Sequence, residues 1–168
     1  MGKKKHEKGA GSTPATVQLE QAGIPFKTYE YAHSNDHMDD GYGVEAATKL
    51  GFDEHQVFKT LMADTGSERV VGVVPVSGHM DLKALAAAVG AKKAAMADPK
   101  VAMRESGYVV GGISPLGQRT HHTTVLDESA LQYSEILLSG GKRGFSIGIN
   151  PNDLLKVLDG IAAPIGTW

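Results

Sequence analysis

Phe58-Lys59-Thr60-Leu61-Met62-Ala63, followed by Asp64-Thr65-Gly66-Ser67 and then by the apolar run from Arg69 to Val76, decides the fold class. The flanking runs have strand length and strand composition, and the residues between them have turn chemistry. Strands joined by so short a turn pair antiparallel, because a parallel pair needs a crossover of roughly a dozen residues. A doubly wound parallel sheet, in which strands alternate with helices, is therefore disfavoured.

Further strand-like runs lie at Phe26 to Tyr31, Lys92 to Met96, Tyr108 to Val110, Thr123 to Leu126, Glu135 to Leu138 and Phe145 to Ile149. Helices are marked by their ends. Ser12 or Thr13 can cap a helix that has Pro14 in its first turn and Gly23 after it, and Val44 to Leu50 stops at Gly51. Asp81 opens Leu82 to Val89, Asp98-Pro99 opens a helix closed by Gly107, and Asn150-Pro151 opens one closed by Gly160. Such caps satisfy the orphan backbone groups at helix termini. The reading is an α+β fold, a mixed, barrel-like sheet flanked by about five helices.

A chain of 168 residues suits one domain. Residues 1 to 12, with Lys3, Lys4, Lys5 and Lys8 and few apolar side chains, read as a disordered basic tail, leaving residues 13 to 168 as the domain. The 17 Lys and Arg against 19 Asp and Glu exclude an overall basic nucleic-acid binder, so any RNA contact is confined to one face. With no cysteine there is neither a disulfide nor a thiol nucleophile. No apolar run approaches the roughly 18 residues of a membrane span, so no membrane contact is expected and a cytoplasmic location is the default.

Two glycine-rich segments and one lysine stand out. Gly111-Gly112-Ile113-Ser114-Pro115-Leu116-Gly117 combines backbone freedom with a rigid proline, which suits close approach to a ligand. Its exposed N–H groups can face an anion or a carbonyl oxygen, although a plain connection is also compatible. Ser139-Gly140-Gly141-Lys142-Arg143-Gly144 fits either a phosphate contact or a long hairpin turn, and lacks the spacing of a P-loop. Lys59, on an otherwise apolar strand, can hold an oxyanion or simply reach water from a strand end. His33-Ser34-Asn35-Asp36-His37-Met38-Asp39-Asp40 has metal-ligand residue types on a loop, but such clusters, like His121-His122, usually face water. Neither a metal nor a cofactor is assigned.

Taken in order, these segments resemble the YbaK family of free-standing aminoacyl-tRNA deacylases, related to the editing domain inserted in bacterial prolyl-tRNA synthetases. The resemblance runs through Thr13-Pro14-Ala15, Thr28-Tyr29-Glu30, Gln56 to Leu61, Asp81-Leu82-Lys83, Gly90 to Lys93, Met96 to Pro99, Gly107 to Gln118 and Ser139 to Gly144. It implies a mixed β-barrel flanked by helices and the release of a wrong amino acid from the 3′ end of tRNA. It implies Lys59 as the catalytic residue, with the loop Gly111, Gly112, Ile113, Ser114 and Pro115 bordering the aminoacyl pocket. Tyr29, Tyr42, Thr60 and Ser139 match pocket positions, and so does Ser146, where an aspartate is familiar in the family. Phe58 replaces a common tyrosine, and Tyr31 to Gly43 is a few residues longer than usual.

Lys142 and Arg143 are the candidate contacts to tRNA phosphates. The implied substrate is cysteinyl-tRNA(Pro), whose own thiol attacks the ester to give a cyclic thiolactone, with prolyl-tRNA synthetase as a candidate partner. A deacylase for alanyl or another small aminoacyl-tRNA and a non-catalytic binder of a nucleotide or tRNA end are the alternatives.

Overall fold

The computed structural model describes residues 12–32 and 42–167. The basic tail up to Gly11 and the segment from His33 to Asp40 lie outside the described residues. Among the described residues five α-helices appear, four of them where their N-caps place them and α2 two residues ahead of the expected Val44: α1 Pro14–Ala22, α2 Tyr42–Leu50, α3 Leu82–Ala88, α4 Pro99–Ser106 and α5 Pro151–Leu158. Thr13 is the cap of α1, its hydroxyl accepting from Thr16 N at 3.3 Å while Thr16 Oγ1 accepts from Thr13 N at 2.9 Å. The Thr13 hydroxyl also donates to the Gly140 carbonyl, so one cap both starts a helix and ties it to a strand.

The described residues form ten strands: β1 Lys27–Glu30, β2 Phe58–Asp64, β3 Arg69–Pro75, β4 His79–Met80, β5 Ala95–Met96, β6 Thr123–Asp127, β7 Ile136–Lys142, β8 Phe145–Ile149, β9 Ile161–Ala163 and β10 Gly166–Thr167. The β2–β3 hairpin is antiparallel, with Lys59 opposite Val74 and Thr60 opposite Val73. It anchors a five-stranded mixed sheet in the order β5-β2-β3-β6-β9, whose β3–β6 and β6–β9 pairs are parallel. An antiparallel sheet β1-β8-β7 meets it at a bridge between Val57 and Leu137, which makes the arrangement barrel-like. A small pair, β10-β4, completes the topology.

β3 explains the core. Val71 and Val73 pack with α1, β7, β8 and α5 residues such as Leu19, Leu138, Ile147 and Leu154. Val70 and Val74, on the opposite face, pack with Leu85 of α3 and Ile165. A strand buried on both faces reads as an unbroken apolar run instead of alternating, as Val70 to Val74 does. Each fully buried leucine here contributes about 1.5–3 kcal/mol.

Three expectations change. Tyr108 to Val110 is not a strand: the Tyr108 hydroxyl donates to the Leu116 carbonyl at 2.6 Å, Gly112 N donates to Val109 O at 2.9 Å in a turn, and Val109 and Val110 are exposed. Lys92 to Met96 contributes only Ala95–Met96. Ser139 to Gly144 is not a free loop, since β7 continues to Lys142 with an irregularity between Ser139 and Lys142, and only Arg143 and Gly144 turn.

Candidate active site

The hydrogen-bond alternation of β2 leaves one edge open. Val57 O accepts from Val76 N at 2.8 Å on the β3 side, whereas Gln56 O accepts from Leu137 N and Met62 O accepts from Ala97 N, each at 3.0 Å, on the other side. Alternate residues of a strand direct their backbone groups to opposite edges, so Thr60 aims its N–H and C=O away from β3. Among the described residues no strand pairs with it there. Between the Val57–Leu137 bridge and the Ala63–Met96 pair, β2 and β7 part, and a cavity of about 330 Å³ opens. Phe58 to Met62 form one wall and Leu138 and Ser139 another. The volume fits a small side chain with its ester and part of a ribose.

Lys59 lies on this wall, half-buried. Burial pushes its ammonium pKa below the ordinary lysine value. Among the described residues no carboxylate pairs with it. An unpaired cation on a largely apolar wall is positioned to meet negative charge brought by a ligand or formed in a reaction. Next to it, Thr60 Oγ1 is a buried side-chain oxygen without a hydrogen-bond partner, again among the described residues.

The glycine loop reaches the same cavity. Gly111 and Ile113 line the cavity; Gly112, Ser114 and Pro115 do not. Ser114 is fully buried, and its hydroxyl accepts from Leu116 N at 3.2 Å, bracing the loop from behind. A Cβ on Gly112 would fall 2.7 Å from the Lys142 Cα, so the loop packs directly on the β7–β8 turn. Tyr42, at the start of α2, lines the cavity under the Arg143 guanidinium, which lies 4.9 Å from the ring centre. Arg143 Nε donates to the Val110 carbonyl at 2.8 Å, fastening the loop to the turn.

Ser139 and Ser146 are directly paired across β7 and β8 and both line the cavity, as does Lys142. Tyr29 does not line it. Its hydroxyl donates to Glu135 at 2.8 Å, and its phenol pKa, raised by burial first and then by that carboxylate, is pushed up to about 12. Sequence reasoning missed Tyr31, Met96, Pro99 and Phe145 on the cavity wall. Met96-Ala97-Asp98-Pro99 belonged to the resemblance, which was the one available signal.

An α+β domain whose largely apolar cavity is lined by a partly desolvated lysine and a braced backbone loop has the parts needed to hold an activated acyl group. The class it defines is the ester-cleaving editing domain. Residues 41–157 match the model of the aminoacyl-tRNA editing domain, and the chain belongs to that family. A protein of Enterococcus faecalis (strain ATCC 700802 / V583) whose assigned activity is that of a Cys-tRNA(Pro)/Cys-tRNA(Cys) deacylase, EbsC, is 39% identical over 170 residues, covering 99% of each chain. The fold is shared with a solved structure assigned as a trans-editing enzyme for prolyl tRNA synthetase, at a TM-score of 0.82 and 23% identity over 96% of this chain and all of that one. The hypothetical protein APE2540 also shares it, at a TM-score of 0.81 and 19% identity, over 92% of this chain and all of that one.

Proposed function

We propose that the protein is a trans-editing deacylase that releases cysteine from mischarged tRNA(Pro) in the cytoplasm. The observation that carries this reading is Lys59, a half-buried ammonium with no carboxylate partner among the described residues, in the lining of a cavity that Gly111 and Ile113 also line. An aminoacyl ester is already activated, so the protein has only to orient it and stabilise the oxyanion. The Lys59 ammonium and backbone N–H groups of the loop supply the positive charge. The substrate's thiol sulfur bonds to the ester carbonyl carbon, the bond from that carbon to the ribose oxygen breaks, and the thiol proton passes to the departing ribose hydroxyl. A cyclic thiolactone leaves, and the absence of cysteine from the chain is no obstacle.

Lys142, at the end of β7 in the cavity lining, and Arg143, on the turn that follows, would meet phosphates of the tRNA end, while Tyr42, Thr60, Ile113, Ser139 and Ser146 shape the side-chain pocket. Tyr29, Gly112, Ser114 and Pro115 support that pocket from outside its lining. Prolyl-tRNA synthetase is the partner that would deliver the substrate. Incubation with Cys-tRNA(Pro) and Ala-tRNA(Pro) tests the reading. Cysteine release is expected. Release of alanine alone would overturn the substrate, and tRNA binding without release of either would make the protein a binding module.

A further inference from the structure

Behind the Gly111 loop, four side chains form a continuous chain of hydrogen bonds. Gln118 Nε2 donates to the Ser114 carbonyl at 2.9 Å. Gln118 Oε1 meets His122 Nδ1 at 2.7 Å, His122 Nε2 meets Glu105 Oε1 at 2.9 Å, and Arg69 Nε donates to Glu105 Oε2 at 2.7 Å. The chain thus runs from β3 through α4 to the loop. His122 is buried, with a side chain only 5% exposed.

The proton positions follow from what each partner can do. The Ser114 carbonyl can only accept, so it must face the Gln118 NH₂, and the Gln118 oxygen is then the atom facing His122 Nδ1. Nδ1 therefore carries a hydrogen. On the other side of the ring stands a carboxylate: Arg69 and then His122, by their hydrogen bonds, hold the Glu105 pKa down at about 2. The His122 ring is thus clamped between the Gln118 amide and the Glu105 carboxylate. The other charged groups near this point are Asp64, 3.5 Å from Arg69, and Arg119, whose guanidinium donates to the Arg104 carbonyl at 3.3 Å. His121 and Arg104 are chain neighbours of the pair.

We infer that His122, held between Glu105 and Gln118, is a positioning residue that sets the Ser114 carbonyl and so the shape of the Gly111 to Pro115 loop. The inference rests on the proposed role of that loop as a wall of the aminoacyl pocket. Loss of the ring's two hydrogen bonds turns Gln118 loose and lets the loop relax, so loop order and turnover fall together.

Two measurements on the full chain test it: hydrogen-exchange protection of the Gly111 to Leu116 amides, and kcat and KM for Cys-tRNA(Pro). Gln118→Met, which keeps the size and removes both hydrogen bonds, and His122→Gln are expected to lower loop protection. They are also expected to lower kcat by about 10- to 100-fold with little change in KM, the scale of a misplacement made away from the chemistry. Unchanged loop protection in both variants would overturn the inference. Lost protection with wild-type kcat would uphold the hydrogen-bond chain and overturn the loop as a wall of the reacting site.

Discussion

The Cβ that any other residue would carry at Gly111 falls 2.6 Å from Cε1 of the Tyr42 ring. Gly111 also has φ +91°, which other residues adopt at a cost of about 1–3 kcal/mol. Gly111→Ala is therefore expected to lower stability and to push Tyr42 from the cavity wall, cutting kcat/KM for Cys-tRNA(Pro) at least tenfold. Tyr42→Ala combined with Gly111→Ala removes the clash and leaves only the φ cost. A thermodynamic cycle over the three variants is expected to show the two losses as strongly less than additive. Additive losses would mean that the contact has no energetic weight.

Arg143 separates two duties that the sequence cannot tell apart. If its guanidinium acts as a clamp, donating to Val110 O while lying on the Tyr42 ring, lysine cannot replace it, because an ammonium lacks the flat fork. Arg143→Lys is expected to lose nearly as much activity as Arg143→Gln. Lys142→Gln is expected instead to raise KM and to reduce the slope of log KM against log salt by about one phosphate contact. Steady-state kinetics at several salt concentrations checks both, and full activity in Arg143→Lys would reduce Arg143 to a point charge.

The parts of this molecule that were legible are those decided locally. Thr13, Asp81, Asp98 and Asn150 each cap the helix that their side-chain chemistry announces, and Gly23 and Gly107 close theirs in the left-handed region. The short strands were not legible, because β4, β9 and β10 have two or three residues each and carry no period. What places the last strand is a distant group: the Asp127 carboxylate accepts from Ile165 N at 3.0 Å and Gly166 N at 2.8 Å. Val109 and Val110 looked like strand residues because apolarity alone does not distinguish a buried run from an exposed lip. Lys59 and the Gly111 loop were legible as site elements through composition, but Tyr31, Met96 and Phe145 come from three separate strands or strand ends that only folding brings together. The burial of His122 was not legible for the same reason, since it depends on Glu105 and Gln118 arriving around it.

Thr60 offers a test of pocket polarity. Its hydroxyl oxygen is buried without a partner among the described residues, a state that costs about 1–3 kcal/mol. Thr60→Val keeps the shape and deletes the unpaired group, so a rise in melting temperature is expected. If the hydroxyl turns toward bound substrate, kcat/KM falls in the same variant, and the opposed signs separate a functional hydroxyl from a structural one. A variant that is both less stable and fully active would contradict both parts.

Lys59 carries the same tension between function and stability, and its pH dependence has a definite sign. Burial lowers the folded-state pKa below the unfolded one, so between those two values the unfolded chain binds more protons at this site, and stability rises with pH. Below that window the ammonium is charged in both states and its desolvation is a net cost to folding. Lys59→Met, which keeps the length of the chain and removes the charge, is therefore expected to melt higher than the parent near neutral pH. This advantage fades as pH climbs through the lowered lysine pKa toward the ordinary lysine range. Activity moves the other way. With the ammonium gone, deacylation of Cys-tRNA(Pro) is expected to fall by about 100-fold or more, the scale of losing one charged stabiliser of an oxyanion. In the parent, the rate declines as pH rises and the Lys59 proton leaves. Thermal melts and single-turnover rates on the same pH series check both signs, and a Lys59→Met protein that is destabilised near neutral pH yet still active would show the lysine to be a structural strand-end residue.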